Sequence, residues 1–199
     1  MSNIFQRLEL QAFRAGVTPR TKESRAWFQK KIKNLRSINR EELMKEDPLK
    51  QTSEEIVGSM YMFFYDPKFK NDRVKLPYFD SFPLVVVVGP AKGGFLGLNL
   101  HYLPPVLRAK MLDALMDITN NEKFDKTTRF KMSYELLVKT SKLKYFKPCL
   151  KHYLNEHVQS RFAMVPPPEW EIATFLPTQQ FRYASNAKVY YDSKQMIGD

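Results

Sequence analysis

The sequence predicts an α+β protein, a small five-stranded antiparallel barrel-like sheet with helical insertions and an N-terminal helical arm. Three observations lead there. From Phe82 to Val88 the chain reads Phe-Pro-Leu-Val-Val-Val-Val, β-branched on both faces, as suits a strand covered on both sides. Beyond Gly89–Gly94, Leu96, Leu98, Leu100 and Tyr102 alternate with Phe95, Gly97, Asn99 and His101, the period of a two-faced strand. On either side of this hairpin, apolar residues recur at helical spacing instead.

Residues 3–15 carry Ile4, Leu8, Ala12 and Ala15 at that spacing, which predicts an amphipathic helix stopped at Gly16. A second helix is expected from Thr18-Pro19 or Thr21 to about Arg36, with Trp27, Phe28, Ile32 and Leu35 on one side and Arg25, Lys30, Lys33 and Arg36 on the other. The polar stretch from Asn39 to Ser53, with Asp47-Pro48, reads as a linker. An aromatic run from Ser59 to Tyr65 predicts a strand halted by Asp66-Pro67.

After the hairpin, Pro104-Pro105 opens a helix striped by Leu107, Met111, Ala114, Leu115 and Ile118. Thr127 or Thr128 caps another with Phe130, Tyr134, Leu137 and Ser141 in register. Pro148 is expected to begin a third, with Leu150, Leu154 and Val158 spaced by four. Residues 161–165 and 170–176 read as two more strands around Pro166-Pro167-Pro168; Thr178 caps a short helix through Tyr183, and an extended polar tail starts at Ser185. Five short strands with bulky residues must cover their edges, hence the barrel. The expected organisation is a basic helical arm over 1–50, an α+β core over 51–184 and a polar tail over 185–199.

A chain of 199 residues with 43% hydrophobic and 14% aromatic content and 7 Gly predicts a folded protein with a sizeable core. The single cysteine, Cys149, excludes an intramolecular disulfide framework and reads as a small half-buried thiol in a reducing compartment. The first residues lack the apolar stretch of a secretory signal, and the apolar run 83–88 is far too short to span a bilayer, so no membrane partner is expected.

The net charge is +11, and the charge is clustered. Arg20, Lys22, Arg25, Lys30, Lys31, Lys33, Arg36 and Arg40 stand against Glu23 alone, and nine Lys or Arg lie between Lys123 and Lys151 against Asp125 and Glu135. Such a surplus concentrates polyanions, and the eight cations of the first cluster are the candidate DNA-binding residues, contacting the phosphate backbone. Trp27 and Phe28 could stack on a base, but an apolar helical stripe ordinarily faces a core, and that reading is preferred for them.

Catalytic chemistry has little to stand on. Gly93-Gly94 and Gly97 lack the Gly-Lys-Ser/Thr of a phosphate-binding loop, and the three histidines with one cysteine match no zinc spacing. His101 reads as a polar-face or satisfied half-buried residue, and His152 and His157 fall on different sides of the expected helix. A metal-dependent nuclease would need converging carboxylates. Asp66 and Asp72 lie in charge-mixed turns, and Glu169 and Glu171 flank Trp170 on an expected exposed strand face. The expectation is therefore a non-enzyme with no metal and no cofactor.

Several segments resemble a known family. They are Thr21–Phe28 (Thr-Lys-Glu-Ser-Arg-Ala-Trp-Phe), Gly58–Phe64 (Gly-Ser-Met-Tyr-Met-Phe-Phe) with Asp66-Pro-Lys68, and Leu76–Pro83 (Leu-Pro-Tyr-Phe-Asp-Ser-Phe-Pro). They continue in Gly94–Pro104 (Gly-Phe-Leu-Gly-Leu-Asn-Leu-His-Tyr-Leu-Pro), in Pro168–Ala173 (Pro-Glu-Trp-Glu-Ile-Ala) and in Phe175-Leu-Pro177. Across nearly the whole chain the pattern resembles the DNA end-protector proteins of T-even-like contractile-tailed bacteriophages. The resemblance implies a virion-associated protein that binds termini of packaged DNA near the neck or portal and shields them from host exonuclease. It implies assembly in the host cytoplasm, then residence in the virion beside neck, portal or baseplate proteins. The alternative is a purely structural neck, tail or baseplate subunit making protein–protein contacts. The quoted motifs are aromatic strands and turn glycines, which identify a fold more than a site.

Overall fold

The computed structural model describes residues 4–19, 21–33, 35, 38–46, 49–119 and 146–198, with backbone alone over 114–119. The expected helix over 127–141 lies outside these residues, as does most of the Lys123–Lys151 cluster. The hairpin forms as expected: β4 (Leu84–Ala91) pairs antiparallel with β5 (Gly94–Asn99), with a bulge between Val87 and Gly89. Both strands run further toward the turn than the glycines suggest, leaving Lys92-Gly93 as a two-residue loop with Gly93 at φ +75°. The second strand ends earlier than expected, because the Asn99 side chain accepts from His101 N–H and starts a 3₁₀ turn over Leu100–Tyr102.

The barrel does not form. The main sheet is open and has six antiparallel strands in the order β1-β7-β2-β4-β5-β6, completed by β1 (Lys50–Thr52), β2 (Met60–Met62), β6 (Leu150–Leu154) and β7 (Phe162–Val165). A separate two-stranded ribbon joins β3 (Phe79–Asp80) to β8 (Phe181–Arg182). The open edge at β1 is protected by brevity and polarity, being three residues long with Lys50 and Gln51 exposed.

Burial on both faces explains the β4 sequence. Leu84, Val86 and Val88 enter the large hydrophobic cluster, while Val85 and Val87 enter a smaller one built on Tyr61, Phe63, Phe95, Tyr153 and Phe162. In that second cluster the Phe63 and Tyr153 rings meet edge to face at 5.3 Å, and Phe95 stacks on Tyr153 at 5.4 Å.

The helices are α1 (Ile4–Arg14), α2 (Lys22–Ile32), α3 (Arg40–Leu43), α4 (Pro105–Thr119), α5 (Trp170–Phe175) and α6 (Asn186–Ile197). Phe5 and Leu8 of α1, Phe28 and Ile32 of α2, and Val189 and Ile197 of α6 share the large cluster with the inner sheet face.

Five expected elements come out differently. The Asn39–Ser53 linker contains α3, capped by the Asn39 side chain, and edge strand β1. The helix expected from Pro148 is β6, held in register against β5 with Leu98 opposite Leu150 and Phe95 opposite Tyr153. The strand expected over 170–176 is α5, all of whose residues are buried; the three prolines lead into a 3₁₀ turn, and Trp170 Nε1–H donates to Val165 O at 2.8 Å. The short helix expected after Thr178 is β8. The supposed extended tail is α6, capped by Ser185 and closed at Gly198 with φ +75°.

Candidate nucleic-acid interface

Helix α2 begins at a capping box. Thr21 Oγ1 accepts from Ser24 N–H at 3.1 Å, and Ser24 Oγ accepts from Thr21 N–H at 3.0 Å. The buried Ser24 hydroxyl also donates to Glu171 Oε1 on α5 at 2.6 Å, fixing which side of α2 faces inward. Phe28 and Ile32 follow on that side, and burying them contributes about 1.5–3 kcal/mol each. Trp27 is half-buried and packs on the same core, edge to face with Phe28 at 5.1 Å. Phe28 is closed to solvent, and Trp27 is engaged by the core on one side.

The structure divides the eight predicted cations. Lys22, Lys30 and Lys33 are exposed, and among the described residues none of them has a carboxylate in ion-pair reach. At about 100° per residue they fall within about 80° of one another around the helix, so they form one outward face. Lys31 is exposed on another side, with Nζ 5.4 Å from the Trp27 ring centre. Arg25 is turned the other way and ion-pairs with Asp113 of α4. Arg40 is half-buried: its Nε–H donates to Thr178 O at 2.8 Å and Nη2 to Gln179 O at 3.0 Å, with the guanidinium over the Phe82 ring. Arg20 and Arg36 lie outside the described residues.

The other sequence candidates fall elsewhere. Asp66 ion-pairs with Lys70 and Asp72 with Lys75. Among the described residues no three His, Cys, Asp or Glu side chains are grouped where they could hold a metal ion. Glu169 and Glu171 are not on an exposed strand face but buried at the start of α5. Burial, together with Glu9 and Glu46, pushes the Glu169 carboxyl up to about 7. Cys149 is fully buried, more than the half-buried thiol expected, and burial pushes it up to about 12. His152 and His157 lie on β6 and on the 3₁₀ turn that follows, not on a helix.

Two buried polar groups carried no weight in the sequence reading. The first is centred on Asp80, whose carboxylate accepts from Phe82 N–H, Gln180 N–H, Asn99 Nδ2 and His101 Nδ1, the last at 2.6 Å. On the far side of the ring, His101 Nε2 lies 3.1 Å from Thr178 Oγ1. Burial opposes charge on both members of the Asp80–His101 pair. His101, Gln180 N–H and Phe82 N–H hold Asp80 below the usual carboxylate range in spite of burial, and burial pulls His101 down. The order acid–imidazole–hydroxyl resembles a hydrolytic relay, but Thr178 and His101 have no exposed surface. As placed, they tie the start of the 178–182 segment to β3 and the 3₁₀ turn.

The second group is Arg108, on the fourth residue of α4 and 1% exposed. Its Nε–H donates to Leu103 O at 2.7 Å and its Nη2 to Tyr190 Oη at 2.8 Å. Its contacts to His101 O, Thr174 O and Gln179 Oε1 are longer, 3.3–3.5 Å. Among the described residues no carboxylate ion-pairs with it. Burial lowers its pKa, but a guanidinium remains charged. The signal in the sequence was its spacing: Arg108 precedes Met111 and Leu112 by three and four, on the buried stripe. It lines a cavity of about 390 Å³ between α2, the start of α4 and the 175–179 segment, together with Gln29, Lys33 and Gln179.

Fold and surface thus define an α+β protein that presents a lysine face on one helix, beside a cleft whose lining includes a buried arginine. A model of the family described as Phage T4 terminal DNA protecting protein matches residues 2–198, and the chain belongs to that family. No curated protein and no solved structure matches it significantly.

Proposed function

We propose that the protein binds the terminus of packaged phage DNA and protects it from exonuclease, without doing chemistry on it. The observation that carries this reading is the family match over residues 2–198. The lysine face of α2 supports it, because Lys22, Lys30 and Lys33 are carried by a capped helix and, among the described residues, no carboxylate pairs with them. Of the eight cations, these three make the phosphate contacts, with Lys31, Arg20 and Arg36 beside them in sequence. Arg25 and Arg40 support the surface from behind. The protein assembles in the host cytoplasm and resides in the virion near the neck or portal, among other virion proteins.

The test compares one DNA in two forms. Purified protein is expected to bind a blunt linear duplex more tightly than the same sequence as a covalently closed circle. It is also expected to delay digestion of the linear form by a processive exonuclease. Equal affinity for the two forms, with no delay, would overturn the proposal.

A further inference from the structure

Among the described residues, the direct partners of the buried Arg108 cation are all neutral. Removing a guanidinium from water costs several kcal/mol unless a counter-charge or full hydrogen bonding offsets it. Here the offset is partial. Among the described residues Nη1 has only Thr174 O at 3.4 Å and Gln179 Oε1 at 3.5 Å. The same Gln179 oxygen also reaches Nη2 at 3.4 Å. One neutral amide oxygen therefore sits across the two Nη groups, where a carboxylate or phosphate makes its fork of two hydrogen bonds. Gln179 lines the cleft together with Arg108, and its Oε1 is the side-chain acceptor that the two Nη groups share. Nearby, half-buried Arg40 adds a second cation that grips the Gln179 backbone, with Asp80 the buried anion that acts on both arginines.

The cleft has the size and lining for a chain end. About 390 Å³ is in the range of small-ligand sites, above the roughly 300 Å³ lower bound. Its walls are apolar at Ile32, Val106 and Phe175, and polar where Arg108, Gln179 and Lys33 lie. Lys33 also belongs to the outward lysine face of α2, so the cleft opens beside the surface assigned to the backbone of the duplex. The first turn of α4 starts at Pro105 on its rim and adds its partial positive charge. A mid-strand phosphodiester carries a sugar on each side and is the bulkier group to admit to a cleft of this volume. A terminal phosphate carries one, and a sugar or base against the apolar wall completes the fit.

We infer that this cleft receives the terminal phosphomonoester of a DNA strand, Arg108 taking two of its oxygens in place of the Gln179 amide and Lys33 contacting it from the rim. This rests on the proposed end-binding function and adds what is read at the end. Blunt duplexes identical but for phosphate or hydroxyl at the 5′ ends, and a second pair differing at the 3′ ends, are titrated against the full-length protein. One of the two phosphate placements is expected to bind roughly 10- to 100-fold more tightly than its hydroxyl counterpart, the range of a charge-assisted contact. Gln179→Glu places a carboxylate on Arg108 from within. In that variant the phosphate-to-hydroxyl ratio is expected to fall to about one, with melting temperature kept or raised, so loss of the ratio cannot be put down to unfolding. Equal affinity for phosphate and hydroxyl ends at both positions in the wild type overturns the inference while leaving end binding intact, provided linear DNA still outcompetes the circle. A ratio that persists in folded Gln179→Glu also overturns it, by removing Arg108 as the reader. Equal binding of linear and circular DNA removes both readings.

Discussion

Replacing Lys22, Lys30 and Lys33 together with Gln tests the surface the structure selects from the sequence cluster. Each lysine that neutralises a phosphate releases condensed counterions, so the log–log dependence of affinity on salt changes by about 0.9 per contact. Three contacts give a slope change of about 2.7, which between 50 and 200 mM salt amounts to roughly a 40-fold difference in how far affinity falls. The assay is DNA affinity over a salt series, with a thermal melt on the same variant. The melt is expected to move little, because these side chains are exposed and, among the described residues, have no ion-pair partner. Arg25→Gln is the contrasting variant. Since Arg25 is engaged by Asp113, its loss is expected to leave the slope unchanged and to cost at most about 1 kcal/mol of stability. A triple variant with the wild-type slope refutes the assignment of this face. So does an Arg25 variant that flattens the slope as much as one of the lysines.

Two further outcomes concern stability. A Cβ on Gly94 would lie 1.9 Å from the Tyr153 carbonyl oxygen, a backbone atom of the neighbouring strand, so Gly94→Ala is expected to cost about 3 kcal/mol or more in chemical denaturation. Gly16→Ala, with open space around it but φ +67°, is expected to cost only about 1 kcal/mol. For Glu169, the folded carboxyl titrates near 7 against an ordinary value of 4.5, so its contribution is fully present below about pH 4.5 and is lost as pH rises through about 7. That difference is about 3 kcal/mol in full and about 1–2 kcal/mol once water reaching the exposed Glu9 side is allowed for. Glu169→Gln is expected to flatten this part of the melting-temperature profile and to melt higher than wild type above pH 7; a profile unchanged by the substitution contradicts it.

The elements legible in the sequence were those whose local signal agreed with their surroundings. The Leu84–Val88 run and the Pro104-Pro105 start each specify one structure, and of the two starts open to the second helix the structure takes the Thr21 cap. The misread elements lacked that agreement. Leu150 and Leu154 are four apart, a spacing that returns to the same face of a helix and of a strand alike, and only pairing with β5 decides. Every residue of α5 is buried, so it has no polar face to reveal its period. The buried stripe of α6 is Val189, Ser193 and Ile197, and a serine in the middle hides it from any hydrophobic count. At the candidate interface the positive charge was legible, but its division was not. Arg25 finds its acid 88 residues away, and Arg40 finds carbonyls 138 and 139 residues away. Which cations remain free for a partner is a tertiary property.

That division follows from the chemistry of the two side chains. A guanidinium presents fixed, forked donors that can satisfy several backbone carbonyls at once, whereas an ammonium is a strongly hydrated point charge on a flexible stem. Arg25, Arg40 and Arg108 accordingly sit inside or against the fold, each with named partners. Lys22, Lys30 and Lys33 stay in water. The outward lysines act over about 10 Å at 0.1 M salt and weaken as salt rises, so they suit encounter and non-specific hold on a duplex. Arg108, enclosed by protein on nearly every side, is shielded from that screening and acts only on a group that enters its cleft. Arg40 links the two by fixing the backbone at Thr178 and Gln179, the residue whose amide oxygen the two Nη groups of Arg108 share, while Asp80 and His101 fix the same segment from the other side. The buried polar network therefore has a positioning role. It sets where the cleft wall stands relative to the lysine face, which under the proposed function decides whether a duplex held along α2 brings its end to the arginine.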